Sequence, residues 1–168
     1  MRFVGLDLST KTGLVIIDES GNVLTEKEIT SKVKEDPQRM IDLTEQVLSH
    51  IKKDDVIAIE GFSYGSRGKG MAFQFGYGYS VQIALYTNDF NYVIVTPSQV
   101  KKFATGKGNA SKDNMILPIY KKWGYEHESD NVRDAFILAQ IARATKTSTK
   151  LTKYQKEIID ALKKGALK

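Results

Sequence analysis

The sequence predicts an α/β domain: a mixed five-stranded sheet, an antiparallel meander followed by parallel strands, flanked by helices. Three observations predict it. Strand-like runs at residues 3–7, 14–17 and 23–29 are separated only by short turns, which makes a meander. Two later runs, Val56-Ile57-Ala58-Ile59 and Tyr92-Val93-Ile94-Val95, are short and nearly continuous, as in strands covered on both faces. Apolar stripes at helical spacing lie between and after those runs. A chain of 168 residues is expected to form one domain with a proper core.

The first run carries a carboxylate, Asp7, and passes through Ser9-Thr10-Lys11-Thr12-Gly13 into Leu14-Val15-Ile16-Ile17. An aspartate in an apolar run is costly to bury unless a cation pairs with it; capping the turn is the alternative role. Gly21-Asn22 marks a hairpin into the third strand. Asp36-Pro37 then reads as a helix start, with Asp36 as N-cap and Pro37 in the first helical position. Met40, Leu43, Val47 and Ile51 place one apolar stripe over about four turns.

The fourth strand ends in a second carboxylate, Glu60, and ligand sites in such sheets gather at strand ends. The segment after it, Phe62 to Gly70, holds Tyr64, Arg67 and Lys69 among glycines. That content suits a phosphate backbone and unstacked bases; a plain linker is the alternative. The helix from about Met71 to Thr87 contains Gly76 and Gly78, which mark close packing against another helix or a second copy of the chain. Pro97 breaks the fifth strand, and Ser98 is the expected cap of a short helix carrying Lys101 and Lys102. The turn Thr105 to Ser111, with Lys107, leads into a helix that starts at Lys112 and closes at Gly124. Lysines at a helix N-terminus bind phosphate well, but the spacing is not that of a Walker loop.

Asp130, Asn131 and Asp134 open the last long helix, with Asp130 and Asp134 on one face. One acid there could be a simple cap. Asp134 differs, because Val132, Ala135, Phe136 and Ala139 flank it and put it at the border of buried surface. From Lys150 onward, Tyr154, Ile158, Ile159 and Leu162 among lysines read as a marginal amphipathic helix.

Composition narrows the chemistry. There are no cysteines and only two histidines, so any metal would be held mainly by oxygen, which points to magnesium or manganese. The charge is polarised. Residues 1–60 hold 8 Lys/Arg against 12 Asp/Glu, whereas residues 143–168 hold 8 against 2. A basic half suits a polyanion such as nucleic acid, although lysine runs are commonly just solvated surface. No apolar run approaches the ~20 residues of a membrane span and no leader is visible, so no membrane partner and a cytoplasmic location are expected.

The order of elements and the scattered acids together resemble the RuvC-type Holliday junction resolvases of the ribonuclease H-like fold. The matching pieces are Gly5-Leu6-Asp7, Ile59-Glu60, Val100-Lys101-Lys102 with Thr105-Gly106-Lys107-Gly108, Lys112, and Asp134-Ala135. The resemblance implies a nuclease domain over residues 1–150, with 151–168 as a basic C-terminal helix or tail. It implies a homodimeric, magnesium-dependent endonuclease, with manganese able to substitute and two ions per site, that cuts four-way or branched DNA symmetrically. Asp7, Glu60 and Asp134 would match metal-binding acids of the family. Its fourth position falls on Asn131, whereas the nearest acid is Asp130, the first choice here. Lys112 would stand near the scissile strand. Phe62, Tyr64, Arg67, Lys69, Lys101, Lys102 and Lys107 are the expected DNA contacts. The first motif also looks like the first phosphate loop of the actin and sugar-kinase superfamily, but those kinases need two such domains. A ribonuclease H-like nuclease acting on RNA, and a silent junction-binding protein, are the other readings.

Overall fold

The computed structural model describes residues 1–62 and 70–165. Strands β1 (Phe3–Asp7), β2 (Thr12–Ile17) and β3 (Val23–Ile29) form the antiparallel meander. After helix α1 (Gln38–Leu48), strand β4 (Val56–Glu60) pairs parallel with β1. Helix α2 (Met71–Thr87) leads to β5 (Asn91–Val95), which pairs parallel with β4. The sheet order is β3-β2-β1-β4-β5. Helices α3 (Pro97–Thr105), α4 (Lys112–Trp123), α5 (Asp130–Lys146) and α6 (Lys153–Gly165) complete the described chain. The expected mixed sheet with flanking helices is the fold observed.

Alternation along the strands sends side chains to two cores. Val4, Leu6, Leu14, Ile16, Ile57 and Ile59 pack under α1 and α2. Phe3, Val15, Ile17, Val56 and Ala58 pack under α3, α4, α5 and α6 on the other face. The central strands are therefore buried on both sides, which is why they read as continuous apolar runs.

Several local readings shift. Helix α1 begins at Gln38, one residue later than expected, and Pro37 occupies the N-cap position. Asp36 does not cap it, because both its carboxylate oxygens accept from the Arg39 guanidinium, at 2.9 and 2.8 Å. The helix ends at Leu48, short of four turns. The cap of α3 is Thr96 rather than Ser98: Thr96 and Gln99 form a reciprocal capping box ahead of Pro97. Ser129 caps α5, which leaves Asp130 and Asp134 for other work. The helix glycines are used within the chain: a Cβ on Gly76 would press on Met40 of α1, and one on Gly78 would overlap the Phe62 ring. Within the described part of the C-terminal segment, Ile158 and Ile159 of α6 are buried in the second core.

Helix α5 lies unusually close to the sheet. A Cβ on Gly5 would overlap the Ala135 carbonyl and the Ala139 amide nitrogen, and one on Gly13 would overlap the Asn131 carbonyl. Both glycines are there for close approach of helix to strand. This contact positions the site.

Candidate active site

Two parallel neighbours, β1 and β4, run in register from Phe3 opposite Val56 to Leu6 opposite Ile59. The next residues are Asp7 and Glu60, so both acids emerge at the same end of the sheet. Asp7 is also paired across β2 with Gly13, over which the first turn of α5 sits. Because α5 is pressed onto Gly5 and Gly13, Asp134 is carried to the same spot. Asp7 is 7% exposed and Asp134 9%. Three carboxylates thus meet at a partly buried point.

Their charges act on each other. Burial first, then the Glu60 and Asp134 carboxylates, push Asp7 well above the usual aspartate range. Burial, then the Asp134 charge, raises Glu60 from its ordinary 4.5 to about 7. Burial also raises Asp134. Lys112, the first residue of α4, answers part of this charge: its ammonium hydrogen-bonds to Asp130 and lies 3.6 Å from Asp134 Oδ2. That hydrogen bond holds Asp130 below its usual range. Lys101 of α3 is close enough to pull Glu60 down slightly.

The structure therefore gathers Asp7, Glu60, Asp134, Asp130 and Lys112, all singled out in the sequence. Lys107 is exposed on the α3–α4 turn, and Lys102 binds Glu157 of α6 at 3.1 Å. Phe62 packs on α2, with ring centroids 4.5 Å from Phe75 and 5.0 Å from Tyr79. Tyr64, Arg67 and Lys69 lie outside the described residues.

One pair escaped the sequence reading. Buried Tyr77 of α2 shares a 2.8 Å hydrogen bond with buried Thr12, whose hydroxyl also donates to the Ser9 carbonyl at 2.7 Å. The pair ties the β1–β2 turn beside Asp7 to α2. Nothing local marks a tyrosine and a threonine 65 positions apart as partners.

The donor set suits a hard divalent cation. It is all oxygen, and its three carboxylates, two buried and Glu60 partly so, carry raised pKa values, first because burial disfavours their charged forms and then because they repel one another. Among the described residues, no three acidic or histidine side chains close into a ready-made metal cage. Like charge works against such closure.

Residues 3–141 match the family model described as crossover junction endodeoxyribonuclease RuvC. The chain belongs to the RuvC family. Two solved structures share the fold. One is a Thermus thermophilus RuvC structure, with 20% identity and a TM-score of 0.65, covering 83% of this chain and 91% of that one. The other is T. thermophilus RuvC in complex with a Holliday junction substrate, with 21% identity, a TM-score of 0.67, and 83% and 90% covered. No curated protein matches the chain significantly. Among the described residues, no helix is long and apolar enough to cross a membrane.

The raised Glu60 value has a consequence for the metal-free protein. Its neutral form is favoured in the fold, so the folded chain holds a proton that the unfolded chain has lost between pH 4.5 and about 7. Stability therefore falls as pH rises through that window, by roughly 3 kcal/mol for a shift of this size. Glu60→Gln is expected to flatten that fall and to melt several degrees above wild type at pH 8 without metal. Magnesium should raise the melting temperature of wild type but not of the variant. Thermal melts across pH, with and without magnesium, check both; a Glu60→Gln protein that melts below wild type at pH 8 contradicts the assignment.

Proposed function

We propose that this chain is a magnesium-dependent endonuclease that resolves four-way or branched DNA by paired, symmetric phosphodiester hydrolysis, acting as a homodimer in the cytoplasm. The observation that carries the reading is the meeting of Asp7, Glu60 and Asp134 at one sheet end, beside Lys112, in a RuvC-family chain. Asp7, Glu60 and Asp134 would hold two divalent ions, with Asp130 or Asn131 completing the set and manganese able to substitute for magnesium. When bound, such ions supply an activated water and stabilise the leaving 3′-oxygen, leaving a 5′-phosphate and a 3′-hydroxyl.

The chain's own groups do the rest. Asp7, beside both Glu60 and Asp134, would be the central one of the carboxylates that hold the ions. Lys112 offsets negative charge that builds on the phosphate as the bond breaks, and Asp130 holds that ammonium in place. Lys101, Lys102 and Lys107, on α3 and the turn after it, would hold the phosphate backbone, Lys102 by exchanging Glu157 for a phosphate. Phe62 or Tyr64 would be the aromatic at the junction centre, and Arg67 and Lys69 further contacts to the DNA.

For the dimer, the supporting feature is the outer side of α2. Tyr79, Ile83 and Tyr86 are exposed there. A groove of about 520 Å³ runs beside them against α1, lined by Met40, Ile41 and Leu48 among others. An apolar surface of this kind marks an interface.

The test is a four-way junction incubated with protein and magnesium, beside linear duplex and an RNA–DNA hybrid. Paired symmetric nicks on the junction alone are expected. Cutting of the hybrid instead would move the reading to a ribonuclease. Binding without cleavage at any magnesium or manganese concentration would reduce it to a junction-binding protein.

A further inference from the structure

Helix α6 lies beyond residues 3–141, the segment that matches the family model, and no chemistry of the site requires it. One side of it is built into the core. Ile158 and Ile159 are buried with Val100 and Phe103 of α3. The buried Gln155 amide donates to the Phe103 carbonyl at 2.9 Å, while its oxygen accepts from the Thr152 amide at 3.1 Å. The opposite side is thereby held in place, and it exposes Lys153, Lys156, Lys163 and Lys164. Two acids accompany them, Glu157 and Asp160, and Glu157 is taken up by Lys102.

The basic surface continues past α6. Lys122 at the end of α4 lies 5.4 Å from the centre of the Tyr154 ring. That ring also packs against Gly106, the residue before Lys107. The turn then delivers Lys112 to the carboxylates. Exposed lysines therefore stand on the α3–α4 turn (Lys107), at the end of α4 (Lys122) and on α6, with the exposed Asp113 among them.

We infer that this α6 face is a second contact surface for the phosphate backbone of duplex DNA, gripping one arm of the substrate beside the site without reading its sequence. The inference deepens the proposed function and rests on it for the identity of the substrate. Lysine is a point charge suited to phosphate and indifferent to base. The buried Gln155 and isoleucines remove the cost of ordering the helix at the moment of binding, which a loose basic tail would bear.

The salt dependence of binding tests it. The double variant Lys153→Gln/Lys156→Gln alters exposed side chains only. Its association constant for a four-way junction and for a linear duplex is read by fluorescence anisotropy over a potassium chloride series, in EDTA. Each lost phosphate contact removes about 0.9 from the slope of log K against log salt, so a loss of about two is expected, with affinity down on the order of tenfold or more near 0.1 M salt. The control, Lys32→Gln/Lys34→Gln, removes equal charge from exposed lysines ahead of α1 and should keep the wild-type slope. An unchanged slope in the α6 variant, or an equal loss in the control, overturns the inference. Junction cleavage by wild type is scored separately. Loss of slope with no cleavage by wild type would leave the surface standing and remove the proposed function. Cleavage with an unchanged slope would do the reverse.

Discussion

Asp7→Asn is expected to reduce magnesium-dependent junction cleavage by roughly 10³-fold or more, the scale on which loss of a preorganised charge at a reacting phosphate is felt. The substitution keeps the shape of the side chain and removes one charge from the middle of an over-negative cluster. Asp7 sits between Glu60 and Asp134, each of which raises its pKa, so the asparagine protein should melt no lower than wild type without metal. That pairing of outcomes separates lost chemistry from lost folding. The measurements are single-turnover cleavage of a four-way junction, junction affinity in EDTA and a thermal melt. Undiminished cleavage would remove Asp7 from the site; inactivity accompanied by a large drop in melting temperature would reassign it to the fold.

Gly5→Ala is expected to be the most damaging single methyl group in the sheet. The added carbon would overlap backbone atoms of Ala135 and Ala139, and neither can move aside without lifting α5. Overpacking against backbone should cost on the order of 3 kcal/mol. At this chain length, each kcal/mol corresponds to about 2–4 °C in melting temperature. Activity should fall with stability, because lifting α5 draws Asp134 away from Asp7. Gly165→Ala is the comparison: a Cβ there meets nothing within 4 Å, and its midpoint should stay near wild type. Chemical denaturation of both variants decides the matter, and a Gly5→Ala protein as stable as wild type would mean that α5 does not rest on β1 as described.

Both substitutions touch features that differ in how openly the sequence displays them. Strands and helices are local patterns. The apolar run ending in Glu60, the span of α2 from Met71 to Thr87, and the Ser111 and Gly124 ends of α4 could be read from neighbours a few residues away. The acids were legible for the same reason. A carboxylate inside or at the end of an apolar run stands out because burying it alone is unfavourable. Capping was less legible where a competing partner lay nearby: Asp36 went to Arg39, and Thr96 capped α3 ahead of Ser98.

By itself, then, the sequence determined the elements, their order and the candidate acids Asp7, Glu60, Asp130 and Asp134. Only the tertiary structure decided how they meet. It presses α5 onto Gly5 and Gly13, a contact between residues more than a hundred positions apart that periodicity cannot express. It ties Lys112 to Asp130, giving that acid a partner other than a metal ion. It spends Gly76 and Gly78 on Met40 and Phe62, and it anchors the marginal amphipathic helix α6 through Gln155. The physical reason is common to all four. Local pattern reports which side of an element is apolar, whereas the identity of what covers that side is set by packing across the whole chain.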